Sequence, residues 1–213
     1  MKKIELVPVI EIWGDSSFFI SPENGPYWEY AEDYEKAHTA CLIASGYESM
    51  QSYSIGSNFY ELSAISDANL LWEVKNRTEG SQIDEICSFD GGCVLKIDGK
   101  DMLFPQCCGS LSDIQHWQEL TKGQYEWFWQ GHPQPTIKIE DDKIIMELLS
   151  DGYEKFVPPP SETRLIIDIN DLKDALKETM EKTKIFADRI DKLAKDFLDI
   201  DKPSDILVWG LYP

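Results

Sequence analysis

Four of the five cysteines, Cys87, Cys93, Cys107 and Cys108, fall in one short stretch, and His116 and His132 follow them. Zinc is the first chemistry such residues suggest. The pattern is Cys-x5-Cys-x13-Cys-Cys-x7-His, without the Cys-x2-Cys knuckles that place two thiolates on one ion. Adjacent Cys107 and Cys108 would also point to opposite faces of an extended segment. The simpler reading is of buried thiols acting as small hydrophobes. No metal ligand and no cofactor is assigned, and all five thiols are expected to titrate after denaturation without reductant.

Thiol catalysis is the second possibility. Cys107 and Cys108 stand just before a predicted helix N-terminus, where the helix dipole lowers a thiol pKa, and His116 is the nearest candidate base. No family-specific sequence surrounds either cysteine. Paired carboxylates for hydrolysis would be an arbitrary choice among 39 acidic residues. Phosphate loop, dinucleotide fingerprint, His-Glu-x-x-His and Gly-x-Ser-x-Gly are all missing from the sequence. Asp141-Asp142 does not extend into a calcium loop, because Lys143 and Ile144 occupy positions that need ligands or glycine. No catalytic residue is assigned.

Binding chemistry is better represented. Tyr125-Glu126-Trp127-Phe128-Trp129 would send Tyr125, Trp127 and Trp129 to one side of a strand, as core or as an exposed recognition patch. Glu126 and Phe128 interleave the run, so no cation is there to hold a nucleic acid phosphate. The formal net charge is −19 and is spread along the chain. Such a surface repels nucleic acids and anionic lipid and speeds encounter with a basic partner. One candidate stripe is Glu29, Glu32, Asp33 and Glu35, answered locally only by Lys36.

The elements that must position these residues read as mixed. Ile4 to Trp13 is strand-like, with Pro8 suited to an edge or a bulge. Tyr27, Tyr30, Tyr34, Ala37, Cys41 and Ala44 recur at helical steps, and Gly46 is placed to end that helix. Tyr53 to Phe104 reads as an antiparallel meander. Its clearest part is a hairpin through Asp98-Gly99, and a second hairpin through Asp141-Asp142 sets Glu140 across from Lys143. Ser112-Asp113-Ile114-Gln115 has the form of a capping box for a short helix through Trp117. A long helix from about Asn170 to Leu198 carries the seam Leu172, Leu176, Thr179, Thr183, Phe186, Ile190, Leu193 and Phe197. The two threonines favour packing on the protein's own sheet over a coiled-coil dimer. The prediction is an α+β fold: a twisted, mainly antiparallel sheet with both helices packed against it. One domain over 1–213 is expected, because 161–213 alone is too small for a core.

No run of eighteen apolar residues occurs, and Glu5 interrupts the place of a signal-peptide h-region, so neither membrane insertion nor secretion is expected. An odd number of irregularly spaced cysteines suits a reducing cytoplasm.

From Leu103-Phe104-Pro105-Gln106-Cys107-Cys108-Gly109-Ser110-Leu111-Ser112-Asp113-Ile114 into Trp117, the chain resembles small acidic bacterial immunity-type proteins that accompany polymorphic toxins. The resemblance implies a cytoplasmic inhibitor that covers the active site of a cognate toxin. The leading expectation is therefore a stoichiometric protein-binding module for a basic partner, with Glu29, Glu32, Asp33, Glu35, Trp127 and Trp129 as contact residues. The alternatives are a hydrolase or thiol enzyme using Cys107 or Cys108 with His116, and a structural or regulatory subunit.

Overall fold

A computed structural model describes residues 2–123, 127–149 and 154–212. The fold is α+β, and the chain divides into two compact units. The first comprises Met1–Pro8 with Asp90–Thr183, the second Val9–Phe89 with Lys184–Pro213.

In the first unit, the start of β1 (Ile4–Glu11) lies in a sheet with β3 (Gly91–Ile97) and β4 (Lys100–Leu103); β2 (Phe59–Glu61) belongs to the second unit. The β3-β4 hairpin turns where its Asp-Gly pair predicts. Asp98 and Gly99 both take positive φ, 52° and 79°, which is the backbone twist a two-residue hairpin needs. A separate antiparallel sheet contains β5 (Thr136–Glu140), β6 (Lys143–Glu147) and β7 (Arg164–Asp168) in that order. Glu140 faces Lys143 in register, as expected, and Asp141 supplies the positive φ that a glycine would otherwise provide. The antiparallel structure is thus divided between two sheets among the described residues.

The long helix α4 spans Ile169–Ala194 and packs against the sheet. Its seam threonines are fully buried and satisfied. The Thr179 hydroxyl lies 2.6 Å from the Leu6 carbonyl of β1, and Thr183 donates to the Thr179 carbonyl at 2.9 Å. A buried hydroxyl needs such a partner, which is why threonine is tolerated there. The short helix α3 (Ile114–Thr121) is introduced by a 3-10 turn at Leu111–Asp113. That turn moves the capping box to Ser110 and Asp113, whose carboxylate accepts the Ser110 N–H at 2.7 Å, two residues before the predicted position. Trp117 of α3 is fully buried, edge-on to Phe128 with centroids 4.9 Å apart.

In the second unit, the end of β1 pairs with β2, Val9 opposite Glu61 and Glu11 opposite Phe59. Pro8 immediately precedes that ladder, so its missing N–H falls where the pairing stops. Helix α1 is Ala31–Ala44, four residues shorter at its start than the periodicity predicts, and Gly46 ends it at φ 95°. The expected meander from Tyr53 to Phe104 is interrupted by helix α2 (Asp67–Thr78). Ser66 caps that helix by accepting the Asn69 N–H at 3.1 Å, while Leu70 and Val74 are buried. Arg189 of α4 clamps the approach to α2: its guanidinium bonds the carbonyls of Leu62 and Ile65 and both forks reach Asp67. Asp191 closes the C-terminal end by accepting from the backbone and hydroxyl of Ser204 in α5 (Pro203–Leu207). No helix among the described residues is long and apolar enough to cross a membrane.

Candidate functional site

Two clusters of exposed, chemically rich side chains stand out, one in each unit. In the second unit the chain leaves β1 at Ile12-Trp13, passes Gly14-Asp15, and enters a 3-10 turn at Ser16–Phe18 whose cap is the Asp15 carboxylate. The turn is fastened to the end of α1. The Cys41 thiol donates to the Asp15 carbonyl, the Asp15 N–H donates to the Ser45 hydroxyl, and that hydroxyl bonds the Cys41 carbonyl. Position 14 requires glycine, because a Cβ there would stand 2.6 Å from the Ser45 hydroxyl and 2.7 Å from the Cys41 sulfur.

This fastening opens a cavity of about 220 Å³ lined by Ile12, Trp13, Phe19, His38, Cys41 and Leu42. Rings continue outward from it. Trp13 stands edge-on to His38 at 5.6 Å, Phe19 stacks on His38 at 4.9 Å, and His38, Tyr34, Tyr27 and Trp28 follow in successive ring contacts. Trp13 is 56% exposed and Ile20 83%, with Phe18, Trp28 and Tyr30 also open to solvent. Burial, with the Glu11 carboxylate nearby, pushes the Tyr27 phenol up to about 12, so this rung stays neutral.

The predicted acidic stripe is divided. Glu29, Glu32 and Asp33 are exposed, and Asp33 has Lys36 at 3.8 Å. Glu35 points elsewhere: its carboxylate accepts the Ser52 hydroxyl and the Gly56 N–H, both at 2.7 Å, and so holds the loop against α1. Gly56 fits there because its φ is 83° and a Cβ would meet the Ala31 carbonyl at 2.6 Å.

His38 gives this cluster a pH dependence. Burial lowers its pKa below the ordinary imidazole value, with Glu35 opposing. A depressed folded-state pKa contributes stability that is present above the unfolded value of about 6.5 and lost as pH falls through the folded value. Acidification below about pH 6.5 is therefore expected to lower the melting temperature, and His38→Gln to flatten that part of the profile. Parallel profiles for parent and variant would show that His38 does not titrate with folding.

In the first unit the site is built on the turn Gln106-Cys107-Cys108-Gly109. The buried Gln106 side chain anchors it, donating to Phe104 and Val157 carbonyls and accepting the Val157 N–H. The turn lies against Gln130-Gly131-His132, with Gln106 N–H donating to Gln130 and His132 N–H to Cys107, each at 2.8 Å. Gly131, at φ 89°, has no room for a side chain: a Cβ would lie 2.3 Å from the Gln106 carbonyl oxygen.

Cys107 and Cys108 are exposed, and their sulfurs are 3.5 Å apart. The expectation that they diverge is corrected by one dihedral: Cys108 is left-handed, φ 66°, so the segment is not extended and alternation does not apply. Cys93 alone among the four clustered cysteines matches the buried reading, and burial, with Asp113 nearby, pushes its thiol up to about 12. Trp127 is exposed and Trp129 half-buried, with rings 5.1 Å apart, while Phe128 turns inward. Tyr125 lies outside the described residues. Trp129 contacts His132 at 4.5 Å and its indole N–H points to the Cys108 carbonyl at 3.4 Å. His116 packs edge-on to Trp127, and its Nδ1 lies 3.6 Å from Glu119. The histidine set opposite Cys107 is His132, which sequence order passed over because a strand-like pairing, and not nearness in the chain, brings it there. Its Nδ1 is 3.7 Å from Glu154. Among the described residues no group of three or more His, Cys, Asp or Glu side chains could hold a metal ion.

No protein-family model, no curated protein and no solved structure matches the chain.

Proposed function

We propose that the protein is an acidic, cytoplasmic protein-binding module that neutralises a basic partner by one-to-one binding, with a nuclease toxin as the leading class of partner. The observation that carries this reading is the Trp13 to His38 cavity with its chain of contacting rings, open to solvent at Trp13 and Trp28, beside the exposed carboxylates of Glu29, Glu32 and Asp33. A preformed apolar cavity takes an anchor side chain, exposed Trp and Tyr supply most of the binding energy, and carboxylates select a basic rim. A nuclease presents such a rim because it binds phosphates, and a carboxylate row takes their place.

The test is titration calorimetry with the basic protein encoded beside this gene. One-to-one binding is expected, weakened at least about tenfold by Trp13→Ala. Absence of binding, or binding indifferent to Trp13→Ala, rejects the reading. The thiol hydrolase alternative with His116 as base has less support, since the histidine set opposite Cys107 is His132 and not His116.

A further inference from the structure

We propose that Cys107 and Cys108 form a redox-active dithiol that hydroperoxides oxidise to a vicinal disulfide, with His132 accepting the proton of the attacking Cys107 thiol. This site stands apart from the partner-binding reading and does not depend on it.

Three observations converge. The two sulfurs are exposed and already 3.5 Å apart, so the second can reach the first without rebuilding the turn. Left-handed Cys108 is what holds them on one side, an unusual conformation for a residue other than glycine and one stabilised here by the contacts of both carbonyls, Cys107 to His132 N–H and Cys108 to Trp129. His132 is the antiparallel partner of Cys107: its N–H donates to the Cys107 carbonyl at 2.8 Å, and its ring meets Trp129, whose indole N–H points to the Cys108 carbonyl. The Glu154 carboxylate beside Nδ1 favours a proton on that nitrogen, leaving Nε2 as the acceptor.

His132 takes the Cys107 proton, and the thiolate sulfur attacks the distal peroxide oxygen. The O–O bond breaks, Cys107 becomes a sulfenic acid, and the departing alkoxide takes the proton back as an alcohol. The Cys108 thiolate then attacks the Cys107 sulfur; the S–S bond forms, the S–O bond breaks, and hydroxide leaves as water with the Cys108 proton. The dithiol loses two electrons and the peroxide gains them. Neighbouring Cα atoms are about 3.8 Å apart across a trans peptide, shorter than the usual disulfide span, so the product is strained and easily reduced. A reversible couple results.

Cys87, also exposed but without a neighbouring thiol, is the internal control. The experiment treats reduced, native protein with stoichiometric hydrogen peroxide and follows each cysteine by peptide mass spectrometry. Cys107 and Cys108 are expected to be consumed together, at least about tenfold faster than Cys87, giving a chain lighter by two hydrogens that dithiothreitol restores. Cys108→Ser is expected to trap a dimedone-reactive sulfenic acid at Cys107, and Cys107→Ser to trap none at Cys108. His132→Gln is expected to slow oxidation and remove its dependence on imidazole ionisation from the pH profile. All three side chains are exposed, so unchanged circular dichroism establishes that folding is intact. Consumption of Cys107 at the rate of Cys87, or accumulation of sulfinic acid at Cys107 without an S–S bond, overturns the proposal; an unchanged pH profile in His132→Gln overturns the role of His132.

Discussion

Phe186→Ala and Ile190→Ala are each expected to lower the free energy of unfolding by roughly 2 to 5 kcal/mol, the cost of emptying a packed apolar site. Both side chains lie on the α4 seam and are essentially excluded from water, and Phe186 meets Phe89 with ring centroids 6.0 Å apart. Phe89 is itself fully buried and carries the Arg77 guanidinium over its face at 5.3 Å, so this aromatic neighbour is held from both sides. Ile185, next in sequence and 63% exposed, is the control: Ile185→Ala should stay within about 0.5 kcal/mol of the parent. Urea titration of the three variants measures this. Equal midpoints for Phe186→Ala and Ile185→Ala would mean that the seam faces solvent and waits for a partner helix.

That seam was legible in the sequence because heptad-like spacing depends on local geometry alone, and it held from Leu172 to Ile190. It failed at Phe197, which lies beyond the end of α4, 37% exposed and beneath the Lys75 ammonium. The hairpins were legible for the same reason, since Asp98-Gly99 and Asp141 carry their own backbone preference. Helix α2 was not, although Ser66 and the Leu70 to Val74 spacing announce it; the β-like runs on either side mask that signal. The candidate sites were read least well. Glu35 looks like its acidic neighbours until the loop at Ser52 and Gly56 folds onto it, and Cys107 gains His132 only through pairing across 25 residues. Long-range contacts of this kind leave no periodic trace.

Glu32→Lys with Asp33→Lys is expected to slow association with a basic partner on the order of tenfold at low salt, with little change in the dissociation rate. Both carboxylates are exposed, and the double reversal moves the formal net charge of −19 four units toward neutrality at one place on the surface. Steering acts over distances longer than any contact, so the loss should shrink as added salt brings the Debye length below about 10 Å. Glu35→Gln separates steering from structure. Its carboxylate holds Ser52 and Gly56, so neutralising it is expected to cost roughly 1 to 3 kcal/mol of stability while the association rate changes far less than in the double reversal. Stopped-flow mixing over a salt series, set beside melting curves of the same variants, distinguishes the two. If the double reversal leaves the association rate unchanged at low salt, the carboxylates beside the Trp13 cavity do not steer the partner, and the acidic surface serves solubility alone.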